Sequence, residues 1–115
     1  MSLRYGFGRT VGLPFDVAVE RMVGALAAEG FGVLTEIDVQ ATLKKKLGVD
    51  RPRYRILGAC NPPFAKQALD AEPSIGLLMP CNVVVREDAG GAVHVEVLDP
   101  IPLFELTGRP EVGPL

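Results

Sequence analysis

Two cysteine–asparagine pairs, each next to a proline, are the residues of this sequence best suited to chemistry. They are Cys60-Asn61-Pro62 and Pro80-Cys81-Asn82, and the two cysteines are 21 positions apart. In one interpretation the cysteines are small buried hydrophobic residues, Asn61 caps a helix and Asn82 ties a turn to the backbone. In a second, one thiol is a nucleophile, because a helix N-terminus or a base such as His94 or a lysine lowers its pKa. In a third, the pair binds a metal or cycles between redox states, although two thiolates alone do not complete a zinc site.

A run of positive charge between Lys44 and Arg55 is the second candidate site. It holds six basic residues and one acid, so it carries +5 while the rest of the chain carries −7. The run is either a solvated positive face or an anion or phosphate site with Lys46 and Arg55 among its ligands. Neither standard glycine-rich phosphate loop accompanies it. Phosphate binding is therefore suggested here by charge alone.

The lone histidine, His94, and a pair of acids, Glu36 and Asp38, are weaker candidates for a functional site. His94 falls on the outer face of a predicted strand, with no cysteine or serine partner evident, and is expected to be a plain surface or half-buried residue. Glu36 and Asp38 are two residues apart near the end of another predicted strand, where acids are common. The sequence has no nucleophile elbow, Cys-x-x-Cys or His-Glu-x-x-His motif. It predicts no metal site and no cofactor.

Several short elements must position these residues, because glycine and proline, 13 and 10 in number, cut the chain often. The clearest helix lies between Pro14 and Gly30, where apolar residues recur every three or four positions. A second long helix begins at Asn61-Pro62, a cap followed by proline at the first helical position, and ends before Pro73. Its predicted inner face consists of Phe64, Ala65, Ala68 and Leu69. The remaining predicted elements are strands at 5–11, 31–37, 54–60, 81–87 and 92–98, a short helix ending at residue 47 and a helical turn at 74–79.

This order, β-α-β-(α)-β-α-β-β, predicts an α+β fold. We expect two layers, a mainly antiparallel sheet of about five strands with two long helices on one face, ferredoxin-like or similar. In such a split βαβ arrangement, strands 54–60 and 81–87 run parallel and are not adjacent. Cys60 and Cys81 would then lie at opposite ends of the sheet, beyond the Cα separation of about 7 Å that a disulfide allows.

Composition sets the remaining limits. The 115 residues, 48% of them hydrophobic with a net charge of only −2, predict a single folded domain. Residues 1–4 are an N-terminal extension, 5–99 the core and 100–115 a proline-rich apolar tail. The pI near 5.3 argues against nucleic-acid binding. The sequence shows no membrane span and no signal peptide, so we expect a cytoplasmic protein with free thiols.

Three stretches, in this order and together with Asp99-Pro100, resemble the prokaryotic family known as domain of unknown function 302. They are residues 30–39 (GFGVLTEIDV), 54–62 (YRILGACNP) and 75–85 (IGLLMPCNVVV). The resemblance covers about residues 5–102 and implies a small single α+β domain that forms homodimers. It implies no activity, substrate or cofactor. Residues after Phe104 are expected to be an extension particular to this chain.

We therefore expect a homodimeric domain that binds a small ligand or partner rather than catalysing a reaction, although the sequence leaves catalysis open. The first alternative is a thiol-dependent enzyme or redox sensor that uses Cys60 or Cys81. The second is anion or phosphate binding through Lys44–Arg55. No nucleic acid or membrane is expected as a partner. The candidate ligand-binding residues are Cys60, Asn61, Cys81, Asn82, Lys46 and Arg55.

Overall fold

The described chain, residues 4–99 of a computed structural model, has five strands, three α-helices and one 3₁₀ helix. In chain order they are β1 (Gly6–Val11), α1 (Phe15–Ala28), β2 (Gly32–Asp38), α2 (Val39–Leu47), β3 (Tyr54–Cys60), α3 (Pro62–Ala71), a 3₁₀ helix (Pro73–Leu78), β4 (Cys81–Glu87) and β5 (Val93–Leu98). The predicted extension and apolar tail, apart from residue 4, lie outside the described residues. Every predicted strand and helix is present, with ends within about two residues of those expected.

The helix ends follow from local side-chain chemistry, as the sequence predicts. Asp38 begins α2, and its carboxylate accepts a hydrogen bond from the backbone N–H of Ala41 at 2.9 Å. Gly48 ends that helix in the left-handed region, with φ of 68°. Asn61 begins α3 by accepting from the N–H of Phe64 at 3.3 Å, with proline as the first helical residue. Local capping therefore sets where these elements begin and end.

The sheet has the order β1-β5-β4-β3-β2, and every neighbouring pair is antiparallel. This confirms the α+β class and the five-stranded antiparallel sheet. The expectation that β3 and β4 run parallel and apart is wrong, because they are neighbours with Ala59 opposite Cys81. The physical reason is that the segment between them does not cross the sheet. The 3₁₀ helix folds back on α3 through the buried pair Ala68 and Ile75. The chain therefore returns to the sheet at the same end at which β3 left it.

One face of the sheet is buried beneath α1. Phe15, Ala18 and Val19 of the helix pack against Val85 of β4 and Val93 of β5. Alternation along each strand then determines which other side chains point toward the helix layer. Burial of these apolar groups is the main stabilising contribution to the domain.

The inner face predicted for α3 is only partly correct. Ala68 is buried against the 3₁₀ helix, but Phe64 and Leu69, which were expected beside it, are 46% and 43% exposed. The helix packs on one short neighbour rather than on the broad sheet. Its buried stripe is therefore narrower than the spacing of its apolar residues suggests.

The opposite face of the sheet carries a row of half-exposed apolar side chains. Ile37 pairs with Ile56, which pairs with Val84, so the three residues cross β2, β3 and β4 on one face. Ile37 is 47% exposed, and the other two are partly buried. We call these three residues the open-face row.

Candidate functional site

An open groove of about 480 Å³ lies between α1 and the edge of the sheet formed by β1 and β5. We call it the edge groove. Its described lining is apolar except for two arginines and one glycine, and it includes no acidic residue. The lining residues are Phe7, Gly8, Arg9, Val11, Leu13, Ala18, Arg21, Met22, Ala25, Val95 and Val97.

Small side chains explain why the groove is unfilled. Phe15 and Val19 draw α1 toward β4 and β5, and the side of the helix toward the edge strand carries Ala18 and Ala25. A methyl group extends less far from the helix than a larger side chain does, so these two positions leave space in front of the sheet. Phe7 consequently stands at the edge of the sheet with 54% of its surface exposed. The two alanines are visible in the sequence as a sign of the groove, but the apolar periodicity of α1 alone predicts that they belong to the core.

Two arginines supply the only charges of the described groove lining. Arg9 lies on β1 opposite Val95, which places its side chain on the helix-covered face. Arg21 lies on α1, and both residues are exposed. Neither forms an ion pair, a side-chain hydrogen bond or a ring contact within residues 4–99. Their guanidinium N–H groups are therefore available to a ligand.

The two cysteine–asparagine pairs come together at one end of the sheet, which corrects the expectation that they lie at opposite ends. Cys81 is opposite Ala59, the residue before Cys60, and neither thiol is in a disulfide. Because side chains alternate along β3, Cys60 and Cys81 point to opposite faces. Burial raises the pKa of the Cys81 thiol, and the nearby Cys60 raises it further. The environment of Cys81 therefore disfavours the reactive thiolate.

A proline packed on a glycine explains how the two pairs meet. Gly58 lies two residues before Cys60, and Pro80 directly precedes Cys81. A Cβ atom added at Gly58 would lie 2.8 Å from the Pro80 Cγ and would also collide with the hydroxyl of Thr35. Only a residue without a side chain allows this approach between β3 and the start of β4. Asn82 is opposite Gly58 and exposed.

Arg53, within the basic run, is held by groups of α1. Its Nη2 donates to the Asp16 carboxylate at 2.6 Å, and its guanidinium lies 4.2 Å from the centre of the Phe15 ring. The hydrogen bond from Arg53 lowers the pKa of Asp16, and the same bond raises the pKa of Arg53. This arginine joins the loop before β3 to the first turn of α1.

Arg55, one of the two predicted anion ligands, is bound to the two neighbouring acids Glu36 and Asp38. Its Nη1 donates to Glu36 at 2.6 Å, and its Nη2 lies 3.7 Å from Asp38. Lys46 is exposed in the last turn of α2 and has no ion pair within the described chain. Arg53 and Arg55 thus form ion pairs with acids outside the basic run, which the linear charge count could not show, and Lys44 pairs with Asp50 inside it.

His94 has partners that the sequence did not reveal. Its Nδ1 is 3.0 Å from the Thr10 hydroxyl, and its Nε2 is 2.8 Å from the Asp88 carboxylate. The order hydroxyl, imidazole, carboxylate is that of a nucleophilic triad. Asp88 also accepts from the backbone N–H groups of Gly90 and Ala92 at 2.9 and 3.0 Å, so it shapes the turn before β5. The cluster joins β1 to that turn, and the hydrogen bond from His94 lowers the pKa of Asp88.

Two classes of feature are absent from residues 4–99. No group of three or more histidine, cysteine, aspartate or glutamate side chains there is placed to hold a metal ion. No helix in that range has the length and apolar character needed to cross a membrane.

Comparison with known proteins agrees with this architecture. The family model described as "Domain of unknown function DUF302" matches residues 7–115. The match continues past Phe104, so the expectation of an extension particular to this chain is wrong. A crystal structure of an uncharacterised conserved DUF302 protein from Bacillus stearothermophilus is 27% identical, with a TM-score of 0.88 over 97% of this chain and 87% of that one. Among curated proteins, none matches the sequence. The family match, with the shared fold, shows that the chain belongs to the domain of unknown function 302 family.

Proposed function

We propose that this protein is a ligand-binding domain whose small-molecule ligand occupies the edge groove. The observation that carries the proposal is the groove itself. Its volume of about 480 Å³ falls within the range of small-molecule sites, roughly 300–1,000 Å³. Such sites combine an apolar wall with a few polar groups that orient the ligand, and the edge groove has this composition.

The lining supports binding rather than catalysis. The eleven described lining residues include no serine, threonine, cysteine, histidine, aspartate or glutamate. A hydrolytic or group-transfer site normally brings a nucleophile within hydrogen-bond reach of a base. A groove of aliphatic side chains, one phenyl ring and two guanidinium groups can hold and orient a molecule.

Titration with the neutral fluorescent probe N-phenyl-1-naphthylamine tests the proposal. Ala25→Leu, within the groove, should weaken binding about fifteenfold, because excluding two methylene-sized groups removes about 1.6 kcal/mol. Ala27→Leu is the matched control, since Ala27 is exposed on the same helix but does not line the groove. Equal affinities for wild type and both variants, or no binding by the wild type, would contradict the proposal.

We further propose that two copies associate through the open-face row. The support is the partial exposure of Ile37, Ile56 and Val84 together on one face of an antiparallel sheet. Sheet faces stabilise one another by packing such rows together. Light scattering should give twice the chain mass of 12.3 kDa, and Ile37→Glu should give the single-chain mass. Leu77→Glu is the control, as Leu77 is exposed on the 3₁₀ helix; a wild-type monomer would refute the proposal.

The anion-binding alternative has weaker support from the geometry. Arg53 and Arg55 already pair with carboxylates, so an added phosphate would have to displace those partners. The thiol alternative depends on Cys60 and Cys81, of which Cys81 has an environment that disfavours the thiolate. A thiol titration, described in the Discussion, tests that alternative directly.

A further inference from the structure

We infer that the ligand of the edge groove is a single-chain amphiphile with an anionic head group, which Arg9 and Arg21 bind. This inference rests on the proposed function, because it assigns a chemical class to the ligand of the same groove. Medium-chain carboxylic acids are the simplest members of that class.

The charge of the groove argues for an anionic head. Arg9 extends from β1 and Arg21 from α1, so the two guanidinium groups come from opposite walls. The described lining holds no acid to neutralise them, and neither has a partner within residues 4–99. By contrast, Arg53, Arg55 and Arg86 each pair with a carboxylate of this domain. A planar guanidinium matches the two oxygens of a carboxylate, and charge-assisted hydrogen bonds are the strong ones.

The size and lining of the groove argue for one apolar chain. A volume of about 480 Å³ equals roughly sixteen water volumes at about 30 Å³ each. That space accommodates a ligand of about a dozen non-hydrogen atoms and excludes most of a two-chain lipid. Met22, Val95 and Val97 are among the apolar side chains that such a chain would contact. Dispersion and the hydrophobic effect would hold the chain, and the two arginines would fix its direction.

Displacement of N-phenyl-1-naphthylamine by decanoate and by 1-decanol separates the two contributions. Wild-type protein should bind decanoate about tenfold more tightly than decanol, the effect of a charge-assisted pair. Affinity should rise about fourfold for each methylene between octanoate and decanoate. Arg9→Gln and Arg21→Gln should each reduce the preference for the acid and leave decanol binding unchanged. Lys46→Gln, which alters an exposed lysine on α2, should change neither.

The outcomes distinguish this inference from the proposed function. Equal binding of decanoate and decanol would overturn the anionic head while leaving the apolar groove intact. Failure of every probe to bind would overturn both. A preference for decanoate that Lys46→Gln removes and the groove variants keep would place anion recognition on the basic run, against the inference. Binding to vesicles of anionic phospholipid without binding of free decanoate would also overturn it.

Discussion

Substituting Gly58 by alanine tests the contact that joins the two cysteine–asparagine pairs. The new methyl group would lie 2.8 Å from the Pro80 ring, where ordinary contacts begin near 3.4 Å, and would also meet the Thr35 hydroxyl. Relief requires a shift of several tenths of an ångström in a buried part of β3. Overpacking of this kind costs about 1–3 kcal/mol, so we expect Gly58→Ala to lower the free energy of unfolding by about 2 kcal/mol.

Urea unfolding measures that loss of stability. A double-mutant cycle separates the part caused by the Thr35 contact from the part caused by the Pro80 contact. For a protein of this size about 2 kcal/mol lowers the midpoint by roughly 1 M. Thr35 is exposed on the edge strand β2, so Thr35→Ala alone should change stability by less than about 0.5 kcal/mol. The double variant Thr35→Ala/Gly58→Ala should recover about 1 kcal/mol, because one of the two obstructions is gone.

Gly24→Ala is the matched control for the same chemical change. Gly24 lies within α1, and nothing within 4 Å would meet its added methyl group. Alanine is favoured over glycine inside a helix by about 1 kcal/mol, so this variant should be more stable than wild type. A Gly58→Ala protein as stable as wild type, or a double variant no better than the single one, would refute the steric reasoning.

Three further predictions concern the thiols, the histidine cluster and the core. With Cys60→Ser leaving one thiol, the rate of Cys81 alkylation against pH should give an apparent pKa above that of an unstructured cysteine peptide measured alongside; a pKa below that of the peptide would revive the thiol-enzyme alternative. The hydrogen bond with His94 lowers the pKa of Asp88 in the folded protein below 3.8. The ionised Asp88 therefore stabilises the fold above pH 3.8, and this stabilisation is lost as the pH falls through the lowered pKa. The stability difference between wild type and Asp88→Asn should therefore shrink from pH 5 to about pH 2.5, and a constant difference in urea midpoints would contradict the link to His94. Leu57 is fully buried, so Leu57→Ala should cost about 2–5 kcal/mol; a loss under about 1 kcal/mol in urea unfolding would mean that the site collapses around the cavity.

Local signals predicted the elements well because each has its own physical cause. Asn61 caps α3, Asp38 caps α2, and Gly48 ends that helix in the left-handed conformation. These effects act within a few residues, so one sequence suffices to locate them. The turn at residues 88–91 likewise follows from its own aspartate and glycines.

Strand order and the candidate sites needed information that no local pattern holds. An apolar strand such as β3 can pair with several partners, and the choice depended on how Ile75 packs on Ala68 between β3 and β4. His94 meets Thr10 across 84 residues only because β1 pairs with β5. The edge groove depends on where α1 crosses the sheet, a property of the whole core.

The pairing of β1 with β5 also determines when the edge groove can form during synthesis. Gly6 of β1 is opposite Leu98 of β5, so the first of the described strands to be synthesised pairs with the last of them. Val95 and Val97 of β5 complete the sheet wall of the edge groove beside Phe7 and Arg9 of β1. A ribosome-bound chain that lacks β5 has no such cleft, and contacts this distant in sequence form slowly. If the proposed function is correct, a ligand would bind and stabilise only molecules in which β5 has paired with β1.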